Sequence, residues 1–337
     1  MRKYFAYAFK KKLWVLVLLT VVCALPYMVC TATMDMSYTW TERDTGVEYF
    51  HILSPQLFFM AAEMIALVYF VPILTYSFKM KKRSVDCYYA LPLKKEKLFL
   101  AETLAGLCLV AIPFTVAYWG GFLALLVRPE NPYQMFYYLP AYFGMLGFGL
   151  LLYGFNSFIF TRANTAADGV VFMLAYAFVG FLLVSLLDAL LRDEVISYDV
   201  CAAFVPPAGM ISFQENMEWL IRGNPLNVEW CIESFLMPVL YGVLGYLALF
   251  FALRFERAEN AEQVSESWFG YKTLIPVYTA GLMGFCGIDG ILLMCIIAVG
   301  AVVATVAYRR KFRFRFWDLG MLGGSFLVGI VLALIMG

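Results

Sequence analysis

Leu13–Thr31 reads LWVLVLLTVVCALPYMVCT, nineteen residues without a charged side chain. A helix needs about 20 such residues to cross the hydrocarbon of a bilayer, where every backbone N–H and C=O must find its partner within the helix. The flanks of this run differ in sign. Before it stands MRKYFAYAFKKK, with five Lys/Arg; after it stands Ala32–Pro55, with Asp35, Glu42, Asp44 and Glu48 against Arg43 alone. Basic residues of short loops stay on the cytoplasmic side. The run is therefore read as a retained first span with its N-terminus inside. It is too long for a cleaved signal peptide.

The pattern repeats along the chain. Apolar runs at Gln56–Phe78, Thr103–Val127, Met135–Phe160, Val170–Leu191 and Phe235–Leu253 complete six spans. Thr273–Gly287 is short for a span, and Ile291–Tyr308 and Leu319–Met336 follow it. Of all residues 63% are hydrophobic and 15% charged, with a mean hydropathy of +0.78. A soluble domain carries about a quarter charged residues, so a soluble fold is excluded. With the N-terminus inside, the inner segments hold 21 Lys/Arg and the outer ones four, beside 13 acidic residues. The expected fold is all-α: a polytopic transmembrane helical bundle of six core spans plus two to three C-terminal apolar segments. Residues 1–12 read as a cytoplasmic interfacial segment and 13–253 as the core, with a polar outer segment at 192–234. Residues 254–337 read as a cytoplasmic loop and C-terminal membrane segments.

Between the second and third spans lies KMKKRSVDCYYALPLKKEKLFLAE, Lys79–Glu102, with seven Lys/Arg. Its basic flanks are explained by topology and by attraction to anionic lipid. Its centre is not. Ser84-Val85-Asp86 offers oxygens that can cap the first turn of a helix. Pro92 stops that helix, because the residue before a proline is pushed out of the α region. A short helix over 84–92 is expected, facing the cytoplasm, with a second helix starting at Leu93.

Several chemistries are absent. No Gly is followed by Lys, so no Walker A phosphate loop exists. The chain holds one histidine, His51, in an outer segment. No metal site and no catalytic residue is expected, and the protein reads as a non-enzyme. Phe312–Trp317 alternates aromatic and basic residues, which suits an anchor at the membrane surface better than nucleic-acid binding.

Against that background, FKMKKRSVDCYYALPLKKEKLFLAETLAGL resembles the cytoplasmic loop of permease subunits of type-2, exporter-class ABC transporters. It is most similar to the bacterial Ytr-like group, in which R-S-x-D-x-Y-x-x-L-P recurs between the second and third spans. The matching residues are Arg83, Ser84, Asp86, Tyr88, Leu91 and Pro92, and Val85 and Tyr89 lie among them. Span order extends the likeness over roughly the first 270 residues. The resemblance implies a coupling helix that inserts into a cleft on a separate ABC ATPase subunit. It also implies that ATP and Mg are used by that partner, with no cofactor bound by this chain. Assembly with a second permease copy or paralogue in a bacterial cytoplasmic membrane is implied too. Lys3–Trp14 resembles the interfacial connecting helix of the same class, and its aromatic and basic residues suit a membrane surface on physical grounds. Thr161–Gly169 is either a second, smaller ATPase contact or a plain turn.

Charges within spans are functional candidates by default. Glu63 is a candidate for the substrate path or a subunit interface, set against a hydrogen bond to a neighbouring helix. Asp188 is expected to pair with Arg192 at i+4. Glu102 marks the inner edge of the third span. Asn156 and Ser157 read as helix-packing groups. Cys201 and Cys231 share the outer segment and are a candidate disulfide in an oxidising compartment. The stretch around Met210–Leu220 reads as a short helix on the outer surface. Two other functions stay open. One is a membrane sensor for envelope-active compounds. The other is a secondary transporter, which would need paired ionisable groups near the midplane.

Overall fold

The computed structural model describes residues 2–35, 37–41, 48–52, 54–90, 94–128, 135–191, 204–221, 228–252, 259, 261–287, 290–310 and 314–336. The fold is an all-α polytopic bundle. Eight helices among the described residues are long and apolar enough to cross a membrane. One element departs from that plan. Ser37–Thr41 (β1) and Glu48–Ile52 (β2) pair antiparallel, with Ser37 opposite Ile52 and Thr41 opposite Glu48. These runs are rich in Thr and aromatic residues, which favour pleated backbone.

The chain divides into two compact units. One holds residues 1–75, 93–156 and 207–254; the other holds 76–92, 157–206 and 255–337. This division does not follow the 253/254 boundary read from the sequence, since residues 76–92 and 157–206 group with the C-terminal segments.

In the first unit, α1 (Arg2–Lys11) precedes α2 (Leu13–Thr33), followed after the ribbon by α3 (Pro55–Tyr76). Then come α5 (Lys95–Leu126), α6 (Tyr138–Thr161), α8 (Pro206–Ile221) and α9 (Val228–Ala252). The last residue of α3 and the last five of α6 belong to the other unit. The apolar windows of α5 and α6 are 56% and 61% buried, against 22% for α2 and for α9, so α5 and α6 form the centre. Small residues make that packing possible. A Cβ on Gly106 would lie 1.9 Å from the Tyr153 hydroxyl, and one on Gly245 2.5 Å from the Phe155 Cα. Such contacts let helices approach closely, where dispersion replaces the hydrophobic drive that lipid cannot supply.

Helix α8 forms where the sequence suggested a short helix, and it turns an apolar side into the unit. Met210 and Phe213 are buried, and the Phe213 ring packs against Phe148 and Phe235. Glu218 accepts the Ser54 backbone N–H at 2.8 Å. The apolar residues of α8 are drawn into the unit because α6 leaves room for them at Gly144, where an added Cβ would meet Phe213 at 2.3 Å.

In the second unit, α4 (Lys82–Tyr89) and α7 (Ala166–Leu191) join α10 (Tyr271–Phe285), α11 (Ile291–Arg309) and α12 (Phe316–Met336). At 15 residues α10 is short for a crossing, as its sequence implied, since about 22 Å of helix falls short of a core of about 30 Å. It packs on α7 and α12: Tyr278 donates to the Ala175 carbonyl at 2.6 Å, and Gly329 approaches Met283.

Candidate functional site

Helix α4 follows a 3-10 turn, Ser77–Met80, and starts at Lys82 rather than Ser84. Lys81 is the N-cap, extended at φ −112° and ψ 118°, with no hydrogen bond from its own side chain. Ser84 and Asp86 therefore lie inside the helix, and the expectation that they cap it fails. The capping acceptor comes from 180 residues away. A Glu262 carboxylate oxygen accepts the Lys82 N–H at 3.3 Å, doing from outside what a Ser or Asp N-cap does from within.

The helix is two-sided. Val85 is buried, and the Tyr88 ring stacks on Phe78 with centroids 4.3 Å apart. Arg83, Asp86, Cys87 and Ala90 are exposed and follow one another at the three- and four-residue spacing of a single face. Val85, grouped with the docking residues in the sequence, thus belongs to the inward face. The Ala90 N–H bonds back to the Asp86 carbonyl and ends the helix. The Tyr89 side chain, Leu91, Pro92 and the helix start expected at Leu93 lie outside the described residues, and α5 begins at Lys95.

Two further loops brace α4. Lys79 donates to the Thr161 carbonyl. In the turn that follows, Thr165 Oγ1 accepts the Asp168 N–H at 3.2 Å and caps α7. Asn164 accepts the Glu262 backbone N–H at 3.1 Å and donates its side-chain amide to Val264 at 3.4 Å, while Ser265 donates to the Arg162 carbonyl at 2.8 Å. Glu262 has φ +64°, a left-handed backbone that few non-glycine residues adopt. Its N–H is thereby turned to Asn164 and its carboxylate to Lys82. The same loop continues to the last helices. Tyr308 donates to the Ser265 carbonyl, Glu266 pairs with Arg315 at 3.0 Å, and Arg309 pairs with Asp318. Tyr271 donates to the Asp168 carboxylate at 3.0 Å, and burial, with Asp168 beside it, pushes its hydroxyl up to about 12.

Nothing in the sequence marks Glu262, because backbone carbonyls and N–H groups carry no residue signature. The turn at 161–169 is a helix–helix turn, and it also ties α4 to the 259–270 loop.

The remaining candidates fall in the first unit or beyond the described residues. Glu102 is buried, with Lys12 Nζ 2.5 Å from one oxygen and the Tyr4 hydroxyl 3.0 Å from the other. That pairing anchors α1 to α5. The Asn156 amide donates to the Val68 carbonyl at 3.0 Å, a packing role. The Cys23 thiol of α2, a neighbouring helix, reaches the Glu63 carboxyl, and among the described residues no N–H or O–H donor does. Cys201, the Cys231 side chain and Arg192 lie outside the described residues. Among those described, no group of His, Cys, Asp and Glu is arranged to hold a metal. Compared with protein-family models, curated proteins and solved structures, the chain finds no match.

Proposed function

We propose that this chain is the membrane-spanning permease subunit of an ATP-binding-cassette transporter, coupling ATP hydrolysis on separate ATPase subunits to substrate export or extraction across the cytoplasmic membrane of a bacterium. One observation carries the reading. A two-sided helix, α4, joins two long apolar helices in the most basic loop, packed by Val85 and Tyr88 and exposed at Arg83, Asp86 and Cys87. A loop that only held topology would need its Lys and Arg, but not a capped and braced helix between them. The chain has no phosphate loop, so its energy source is a partner. ATP-driven closure of that partner would push on the exposed face of α4, and a second copy or paralogue of this chain would complete the path.

The test is purification from the native membrane. An ATPase subunit should accompany the chain and cross-link through Cys87. Asp86→Lys should abolish ATP-driven transport, and Tyr88→Ala should weaken it by loosening α4 from Phe78. Absence of any ATPase, or normal transport in both variants, would overturn the reading. Glu63 favours a second reading, a secondary transporter driven by protons. Transport that continues without ATP under an imposed proton gradient would select it.

A further inference from the structure

We propose that Glu63 is a proton-binding site within the membrane, reached from the lipid side past Cys23. Glu63 stands seven residues beyond Gln56 on the same face of α3, about 12 Å along the helix from its start at Pro55. Both its oxygens are shielded, and among the described residues the Cys23 thiol is the one donor turned to them. The titratable side chains turned to it are Cys23 and Tyr27 of α2, with Tyr118 of α5 and Tyr138 of α6 grouped around Tyr27. No Lys or Arg stands among these.

The phenols of Tyr27 and Tyr118 are committed elsewhere. Tyr27 donates its proton to the Gln56 carbonyl and Tyr118 to the Tyr138 carbonyl. Only the Cys23 thiol remains, and a thiol is a weak donor. An ionised carboxylate here would have neither counter-charge nor strong donor, in the region where a bare charge is costliest. The ligand that resolves this is a proton. A route exists for it and for small lipophilic reagents. Cys23 is half-exposed, and Leu18, Val22 and Leu25 of the same helix are exposed at 63%, 59% and 57%. The site needs no partner chain, so its test is independent of the transport reading.

Dicyclohexylcarbodiimide is lipid-soluble and reacts with the protonated carboxyl. The O–H adds across one C=N bond, its oxygen to the central carbon and its proton to nitrogen. The O-acylisourea then rearranges to a stable N-acylurea, with no leaving group and no change of oxidation state. With the full chain in liposomes, mass spectrometry of the peptide bearing Glu63 should show the adduct. Its rate should fall as the bulk pH is raised. Cys23→Ser should still be labelled and Glu63→Gln should not. A water-soluble carbodiimide should leave Glu63 unmodified. No adduct at Glu63, labelling indifferent to pH, or equal labelling by the water-soluble reagent would each overturn the proposal. Protection by tetraphenylphosphonium would overturn the proton as ligand in favour of a lipophilic cation.

Discussion

Glu102 on α5 and Glu63 on α3 are carboxylates buried in the same unit, and their surroundings are opposite. Glu102 receives an ammonium and a phenol from the N-terminal segment, and both of its oxygens are used. Among the described residues Glu63 receives neither, only the weak thiol of Cys23. The first carboxylate explains itself as a brace: it holds α1 to α5. The second braces nothing among the described residues. In the other unit, Glu262 is exposed and accepts the Lys82 backbone N–H.

Substitutions can break or sharpen that contrast. Glu102→Ala leaves the Lys12 ammonium, 14% exposed, without its counter-charge. Removing one partner of a buried pair costs about 3–5 kcal/mol, and the lower end applies because a lysine at a helix end can reach toward water. Thermal unfolding in detergent should show the loss, and protease cleavage near Lys10–Lys12 should speed up as α1 detaches. Tyr4→Phe removes one of the two bonds to Glu102 and should cost about 1 kcal/mol in the same assay. Glu262→Ala removes an exposed cap worth about 0.5–1 kcal/mol. Its signature is local: faster hydrogen exchange at the Lys82 amide, with little change in the global midpoint. Glu63→Gln should change stability least, by less than about 0.5 kcal/mol, because its one described donor is the weak Cys23 thiol. A midpoint drop as large as that of Glu102→Ala would erase the distinction between brace and bare acid.

The spans were legible because hydrocarbon imposes a simple rule on side chains, and the alternation of basic and acidic loops ordered them. The short helix in the basic loop was legible too, but its start was misplaced by two residues. Ser84 and Asp86 have the right chemistry for a cap, yet the backbone turns into a helix at Lys82, and the acceptor arrives from Glu262. A contact 180 residues apart, between a side-chain carboxylate and a main-chain N–H, leaves no local pattern to read. The ribbon of Ser37–Thr41 and Glu48–Ile52 carried a signal in Tyr38, Thr39 and Trp40 opposite His51, Phe50 and Tyr49, a β-rich composition that the acidity of the segment obscures. Helix α8 carried an ambiguous one. Its mixture of Met, Phe, Glu and Gln suits a surface equally well, and only the open space at Gly144 decides that its apolar side turns inward.

Helix α5 runs for 32 residues without a break and contains Pro113. At 1.5 Å per residue it is about 48 Å long, against about 30 Å of hydrocarbon. Proline removes one rung of the hydrogen-bond ladder and makes a natural pivot. The arm from Pro113 to Lys95 is about 27 Å, so a bend of about 10° there sweeps the Lys95 end through about 5 Å. In engineering language α5 is a lever with its fulcrum at Pro113, and Pro113→Ala would stiffen it without touching either of its ends.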